Sequence, residues 1–527
     1  MSTDLKFEHE ARAALFDGAT KVYKAVSSTL GARGRNVVRQ IFGSPKITND
    51  GVTIAEAIDL ADPFERQGAD LMKQAARKTV KQAGDGTTTS IVLAYAFLKY
   101  GNHMIERGTN PMLIKSMIEK EVPRVIEQLK TMAIPIAEQK DLENIANISV
   151  QSPEHGKIVA DATAKAGKDG QVIVEEDYST MGVKMEEVDG YRFDRGVENP
   201  FLFTDPEKMQ AVFDKQKNNG QPFHVLVSDK SWNLVGDLHP LISELKKAGI
   251  DKLLIIADEI SGELMQYFTV NRMQLRFHAV IVKSPFNKDM LEDIAQLTGA
   301  TAVTASKGIV NVKREHLGLA DKIIATQDTT TIIGGAGDVT KKIDELRQQI
   351  ENSDEGYDKE KLKDRLARLT GKVVVLKVGA ATEAEAKYLK DKLDDAVGAT
   401  KAAVEEGVVP GGGMALHRVA HTLYTDFEDE FGAMMFSVLT SPVDKIVSNA
   451  GIANSEEIME ELSQSEYSGF DALTGKVVEN VVNAGILDPV KVTRCALENA
   501  ASLAAMLLTT DTVIAEMPEN FHEKANR

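Results

Sequence analysis

Apolar and small residues recur at three- and four-residue steps near the start of the chain: Ala11, Ala14, Leu15, Gly18, Val22, Val26 and Leu30. That spacing lines one face of a helix over residues 8–30. A second stripe, Gly68, Leu71, Met72, Ala75 and Thr79, predicts a helix from Phe64 to Gln82. Thr87 to Tyr100 is apolar nearly all round and predicts a buried helix. Another helix is expected from Pro111 to Met132, and Val37–Ile41 reads as a strand. Past Pro135 the texture changes. Residues 136–189 mix helices (141–148, 156–166) with a strand at 171–175. From Gly190 to about Gly371 strands at 225–227, 253–257, 279–282 and 329–333 alternate with amphipathic stretches at 234–247 and 262–273. Two helices carrying Ile343, Leu346 and Ile350, then Leu362, Leu366 and Leu369, form a charged hairpin around a turn at 352–356. A strand at 373–378 follows, and from Thr382 to about Thr510 the pattern is helical again. Helical ends around an α/β middle suggest an inserted domain reached through a connecting module crossed twice.

The chain has 527 residues, enough for about three domains as a prior. Its net charge of −17 disfavours a nucleic-acid function, because a phosphate backbone needs a basic face. The single cysteine, Cys495, excludes a disulfide framework and reads as a buried thiol. The charged residues 1–10 do not resemble a signal peptide, and no apolar run reaches the ~18 residues of a membrane span. A cytoplasmic protein with no membrane partner is expected. The ten histidines have no zinc spacing, and no serine stands in a nucleophile elbow. Trp232 is assigned to core packing.

The candidate chemistry lies between the second and third helices, in Ala83-Gly84-Asp85-Gly86-Thr87-Thr88-Thr89. Glycines let an oxyanion approach the backbone, the next helix offers unpaired N–H groups at its positive end, and three hydroxyls add donors. A carboxylate at Asp85 implies a hard cation such as Mg²⁺ between it and the phosphates. The other reading is a surface turn with a threonine cap, since this is not the Walker pattern and no Lys follows. Asp50 and Asp395 are further acids from distant parts of the chain, but spacing alone does not select Asp395 from among solvated helical acids. Val408-Val409-Pro410-Gly411-Gly412-Gly413 is a second glycine loop, either facing a ribose or simply turning a corner.

These motifs resemble a known family. Thr29-Leu30-Gly31, Gly34-Arg35-Asn36-Val37-Val38, Asp50-Gly51-Val52, Ala83 to Thr89, Asn110-Pro111-Met112, Gly379 to Glu383, Ala402 to Val409, Gly411-Gly412-Gly413 and Leu487-Asp488-Pro489 stand in the order of group I chaperonins, the bacterial GroEL type. The resemblance runs from about residue 6 to 515. It implies an α+β multidomain chain: an equatorial ATPase domain at 1–133 and 407–527, an intermediate domain at 134–189 and 374–406, and an apical substrate-binding domain at 190–373. It implies an ATPase that assembles into a ring of seven copies and folds non-native polypeptides, using ATP, Mg²⁺ and, as a second ion, K⁺. Asp85 would hold the metal. Thr87, Thr88, Thr89 and Gly86 would face phosphate. Thr29, Leu30, Gly31, Ala32, Asn49, Gly51, Gly412, Asp471, Ala472 and Asp488 complete the nucleotide contacts, with Asp488 on the ribose. Asp395 would orient the attacking water, assisted by Asp50, and would arrive by closure of the intermediate module. Phe201, Leu202, Leu238, Ile242, Leu245, Met265, Phe268 and Val270 would bind clients, although such a stripe by itself is more often a core face. Arg195 and Glu383 would pair between subunits.

Some positions depart from the family pattern. Asn49 replaces a Lys beside the phosphates, and altered nucleotide affinity or rate is expected. Ala32 replaces a Pro, and Val197 an aromatic. His239 and Thr269 put polar groups on the apical face, which counts against a co-chaperonin lid. Asp444 and Ala453 replace charges the family pairs between rings, and residues 519–527 lack Gly-Gly-Met repeats. Two other functions fit parts of the pattern: a nucleotide-binding ring scaffold without folding activity, and a small-molecule kinase using the same cradle.

Overall fold

The computed structural model describes residues 2–517 apart from 42–43, 168–170, 178–180, 194, 207–208, 286–287, 305–306, 310, 353–361, 363–364, 367–368, 370–371, 426–428 and 453–454. The turn expected at 352–356 lies almost wholly outside the described residues, as does Ala453. The chain divides into two compact units. The first comprises 1–164, 174–184 and 377–527; the second comprises 165–173 and 185–376. The stretches expected to form an intermediate domain fall mostly within the first unit.

In chain order the first unit begins with strand β1 (Ser2–Phe7) and helix α1 (Glu8–Val26). The hairpin β2 (Val37–Ile41) and β3 (Ser44–Thr48) leads to the short α2 (Gly51–Glu56). Four longer helices follow: α3 (Pro63–Ala83), α4 (Thr87–Glu106), α5 (Pro111–Thr131) and α6 (Gln139–Val150). Then comes α7 (Pro153–Ala166). Asp62 caps α3 by accepting from the N–H groups of Phe64 and Glu65, with Pro63 at the first helical position. Asn110 and Pro111 start α5 in the same way. Helix α4 is apolar all round because it runs through the middle of its core: Ile91, Leu93, Phe97 and Leu98 are all buried.

Strands β4 (Gln171–Glu176) and β5 (Gly182–Phe193) carry the chain into the second unit. There β6 (Gln210–Asp214), β7 (Phe223–Val227), β8 (Ser231–Trp232), β9 (Lys252–Ala257), β10 (Glu259–Ile260), β11 (His278–Lys283), β12 (Gly318–Thr326) and β13 (Thr330–Gly335) alternate with helices. These are α8 (Val235–Lys247), α9 (Gly262–Met273), α10 (Lys288–Thr298) and α11 (Thr340–Asn352). The sheet order is β11-β9-β7-β12-β13-β5-β14-β4, where β14 spans Lys372–Gly379, and β6 pairs with β12. Strands β11, β9 and β7 are parallel, with Ile281 beside Ile255 and Leu254 beside Val225. Burial on both faces explains their unbroken Val/Ile/Leu runs. Trp232 is buried in this core.

The last part of the chain returns to the first unit with α12 (Glu383–Glu406), β15 (Val408–Pro410), α13 (Met414–Tyr424), α14 (Glu430–Asn449) and α15 (Ser455–Ser463). It ends with β16 (Gly469–Asp471), β17 (Lys476–Val478), β18 (Leu487–Pro489), α16 (Val490–Leu508) and β19 (Thr512–Met517). The expected helical texture from 382 to 510 misses four short strands, each of only three residues and so without readable alternation. Strand β19 pairs antiparallel with β1, joining the chain ends. Cys495 is buried on α16, and burial pushes its thiol up, as expected of an inert cysteine. No helix among the described residues is long and apolar enough to cross a membrane.

Candidate functional site

The loop 84–86 is shaped by its two glycines. Gly84 closes α3 in the left-handed region (φ +77°) and Gly86 opens α4 there (φ +92°), so neither position suits a residue with a Cβ. Between them Asp85 accepts the Gly86 N–H at 2.5 Å. The first N–H groups of α4 have no side-chain cap. Thr87 is buried, whereas Thr88 and Thr89 are half-exposed.

Other segments of the first unit surround this loop. Thr29 Oγ1 lies 3.5 Å from Thr88 Oγ1 and donates to the Val26 carbonyl. Gly51 abuts the same hydroxyl: a Cβ there would stand 2.5 Å from Thr88 Oγ1. Asp50 caps α2, accepting from the N–H groups of Val52 and Thr53 at 3.3 and 2.8 Å. Asn49 donates to Tyr388 Oη on α12 at 3.3 Å. Leu30 and Ala32 pack with Ile446, Phe470, Ala472 and Ile486 in one apolar cluster. Asp471 turns the β16–β17 corner, accepting from the Leu473 N–H and the Thr474 hydroxyl. Gly31 (φ +87°) rests on Ile446.

Asp395 comes to this loop on α12. The helix approaches so closely that a Cβ on Gly398 would lie 2.5 Å from the Gly84 carbonyl oxygen. Ion pairs from Lys491 to Glu405 and from Arg494 to Glu406 hold the far end of α12 to α16. Burial, with the charges of Asp85 and Asp50, raises the Asp395 carboxyl well above the usual carboxylate range. Asp85 is raised by burial too, and Lys392 opposes the shift on both. Some of each side chain's surface stays open, yet protein surrounds them closely enough that lost hydration dominates. Spacing in the chain does not select Asp395; the packing of α12 does.

Asp488, on β18, accepts from the backbone N–H groups of Gly412 and Gly413, while burial pushes its carboxyl up to about 6. A raised acid makes folding more favourable below its unfolded value, near 4, and loses that advantage as pH rises through about 6. Asp488→Asn is therefore expected to exceed the parent in stability by about 1–2 kcal/mol at pH 7 and to match it below pH 4. Urea denaturation at the two pH values checks this.

This donor set suits a magnesium nucleotide. No three acid, histidine or cysteine side chains among the described residues form a protein-only metal cage. Magnesium typically takes one or two carboxylates and completes its shell with phosphate and water, and Asp85 beside an uncapped helix start supplies such a ligand.

In the second unit the expected client-binding stripe resolves into two sets. Leu202, Leu238, Ile242, Leu245 and Phe268 are all at most 1% exposed. They lie in the packed core and offer no binding face in this conformation: Leu238, Ile242 and Leu245 line the buried side of α8, Phe268 lies on α9, and Leu202 sits in the turn at Pro200–Leu202. Met265 is partly buried. Phe201 and Val270 are exposed, at 69% and 49%. Sequence reasoning misses Leu234, Met273 and Leu275, exposed at 56%, 70% and 83%. Leu234 precedes α8, Met273 ends α9 and Leu275 lies just past it, so they share no stripe and periodicity gives no signal for them. The Thr269 hydroxyl accepts from Asn199 and is not free on this face. Arg195 is half-buried in the second unit, and Glu383 is exposed at the start of α12.

The model of the TCP-1/cpn60 chaperonin family matches residues 22–518, and the chain belongs to that family. The motifs quoted above place it with the group I, GroEL-like members as a divergent case. Among solved structures it is similar to the chaperonin gp146 from the bacteriophage EL 2 (Pseudomonas aeruginosa), crystallised in the presence of ATP-BeFx. For crystal form II the TM-score is 0.69 at 20% identity, covering 98% of this chain and 99% of that one. For form I the values are 0.63 and 21%, with the same coverage. The fold is thus the multidomain α+β chaperonin fold, and a chaperonin role goes with it.

Proposed function

We propose that the protein is an ATP-driven folding chaperonin. The observation that carries the reading is the meeting of Asp85, Asp50 and Asp395 at the uncapped start of α4. In this proposal Asp85 holds Mg²⁺ and the N–H groups and hydroxyls of Thr87, Thr88 and Thr89 hold phosphate. The Leu30, Ala32 and Ala472 cluster receives the base, and Asp488 with Gly412 receives the ribose. Magnesium, when bound, offsets phosphate charge. Asp395 orients the attacking water, and Asp50, already engaged as the α2 cap, supports it through its charge. The ATP analogue present with gp146 is in keeping with this. The proposal includes K⁺ as a second ion, a ring of seven copies, an Arg195–Glu383 pair between neighbours and a cytoplasmic setting.

Clients, in this reading, are non-native chains that meet Phe201, Leu234, Val270, Met273 and Leu275. Unfolded chains have exposed apolar surface without fixed sequence, and adaptable Met and Leu side chains suit them. Met273→Ser with Leu275→Ser is expected to weaken capture of an unfolded client about tenfold, since each deletes a large exposed apolar contact. Suppression of client aggregation, titrated against parent protein, measures it. The test of the whole proposal is refolding yield of a denatured client with ATP, with ADP and without nucleotide. Yield that ignores ATP, with and without an added lid protein, sinks it.

A further inference from the structure

We propose that Lys392 is a phosphate-facing cation of this nucleotide site, presented on the same face of α12 as Asp395; the inference rests on the ATP reading above. Tyr388, Lys392 and Asp395 stand at i, i+4 and i+7, which aligns them along one side of the helix. That side is tied to the site at two points. Tyr388 takes the Asn49 amide at 3.3 Å, next to Asp50. Gly398, three residues past Asp395, lies against the Gly84 backbone, next to Asp85. Lys392 therefore starts between two anchors, over the stretch where Asp50 and Asp85 approach each other.

Its neighbours leave it the task. Lys390 is occupied by an ion pair with Asp394. Asn49 is uncharged, and its amide is engaged with Tyr388. Lys392 is half-buried and has no ion pair or hydrogen bond to a described residue. Its charge nonetheless acts on both Asp85 and Asp395. A triphosphate placed among three carboxylates needs cationic charge beyond a single Mg²⁺, and a flexible ammonium on a four-carbon stem can supply it to the terminal phosphate. Because α12 carries both groups, the water-orienting acid and the cation reach the phosphates together.

The test compares Mg·ATP and ADP binding by calorimetry on full-length assembled protein, using parent, Lys392→Met, Lys392→Gln and Lys392→Arg. The parent is measured first. Parent protein that binds no ATP removes the nucleotide reading and this inference with it. With a binding-competent parent, the neutral variants are expected to lose about tenfold in ATP affinity, as a lost charge-assisted contact does, while ADP affinity changes less than twofold. Lys392→Arg should recover most of the ATP affinity. Equal losses for ATP and ADP, with a lowered Tm, would make Lys392 a structural residue and overturn the inference. A folded neutral variant with the parent's ATP-to-ADP preference overturns it as well, leaving the ATPase reading intact.

Discussion

Asp395→Ala is expected to hydrolyse ATP at least about a hundredfold more slowly than the parent, while binding Mg·ATP within a few-fold of it. A positioned acid or base contributes roughly 10²–10⁴ to such a step, and Asp395 is the one acid that α12 brings to the α4 loop from outside it. Binding should survive because the groups proposed to hold phosphate, the α4 N–H groups and Thr87 to Thr89, belong to another element. Removing Asp395 also relieves repulsion, because its carboxyl is raised by burial and then by the neighbouring charges of Asp85 and Asp50. A modest gain in ATP affinity would therefore agree with the assignment. Asp85→Ala should do the opposite and remove Mg·ATP binding itself. Single-turnover hydrolysis and equilibrium binding, measured on both variants, separate the roles. Parent-rate hydrolysis by Asp395→Ala would show that another group positions the water.

Much of this site was legible because its chemistry is local. Gly84-Asp85-Gly86 and the three threonines are contiguous, and glycine-to-helix geometry can be read from seven residues. Asp395 was not legible from spacing, since it lies about three hundred residues further on and looks like any acid on an amphipathic helix; the family resemblance supplied it. Lys392 and Tyr388 share its i, i+4, i+7 face, a signal available once Asp395 is chosen. Gly398 gives no signal at all, because its role depends on what touches it. The second unit teaches the reverse lesson. Leu238, Ile242 and Leu245 carry a clear helical stripe, and that stripe is the core side of α8. Exposed apolar residues at helix ends, such as Leu234 and Leu275, follow no period and appear only when the chain is folded. The strands β1 and β19 were missed for a related cause: β1 is rich in polar and charged residues, and its pairing partner stands at the opposite end of the sequence.

Gly398→Ala provides the sharper test of how α12 is seated, because two physical effects have opposite signs there. In a helix interior, Ala is favoured over Gly by about 1 kcal/mol. Helix propensity alone would make the variant more stable and no less active. Contact predicts otherwise. The added Cβ would stand 2.5 Å from the Gly84 carbonyl oxygen and 2.7 Å from its carbon, and both are backbone atoms of a loop held in the left-handed region. Neither atom can swing aside as a side chain would, so α12 must lift from the loop. A shift of about 1 Å at Asp395 is enough to cost roughly a hundredfold in turnover. Hydrolysis is therefore expected to fall nearly as far as in Asp395→Ala, with far-ultraviolet helicity unchanged and Mg·ATP still bound. Gly236→Ala is the control: it lies on α8, where a Cβ meets nothing within 4 Å, and it should gain stability without changing turnover. If Gly398→Ala turns over ATP at the parent rate, the close seating of α12 on the loop is not needed for hydrolysis, and Asp395 must reach the water by some other arrangement of this helix.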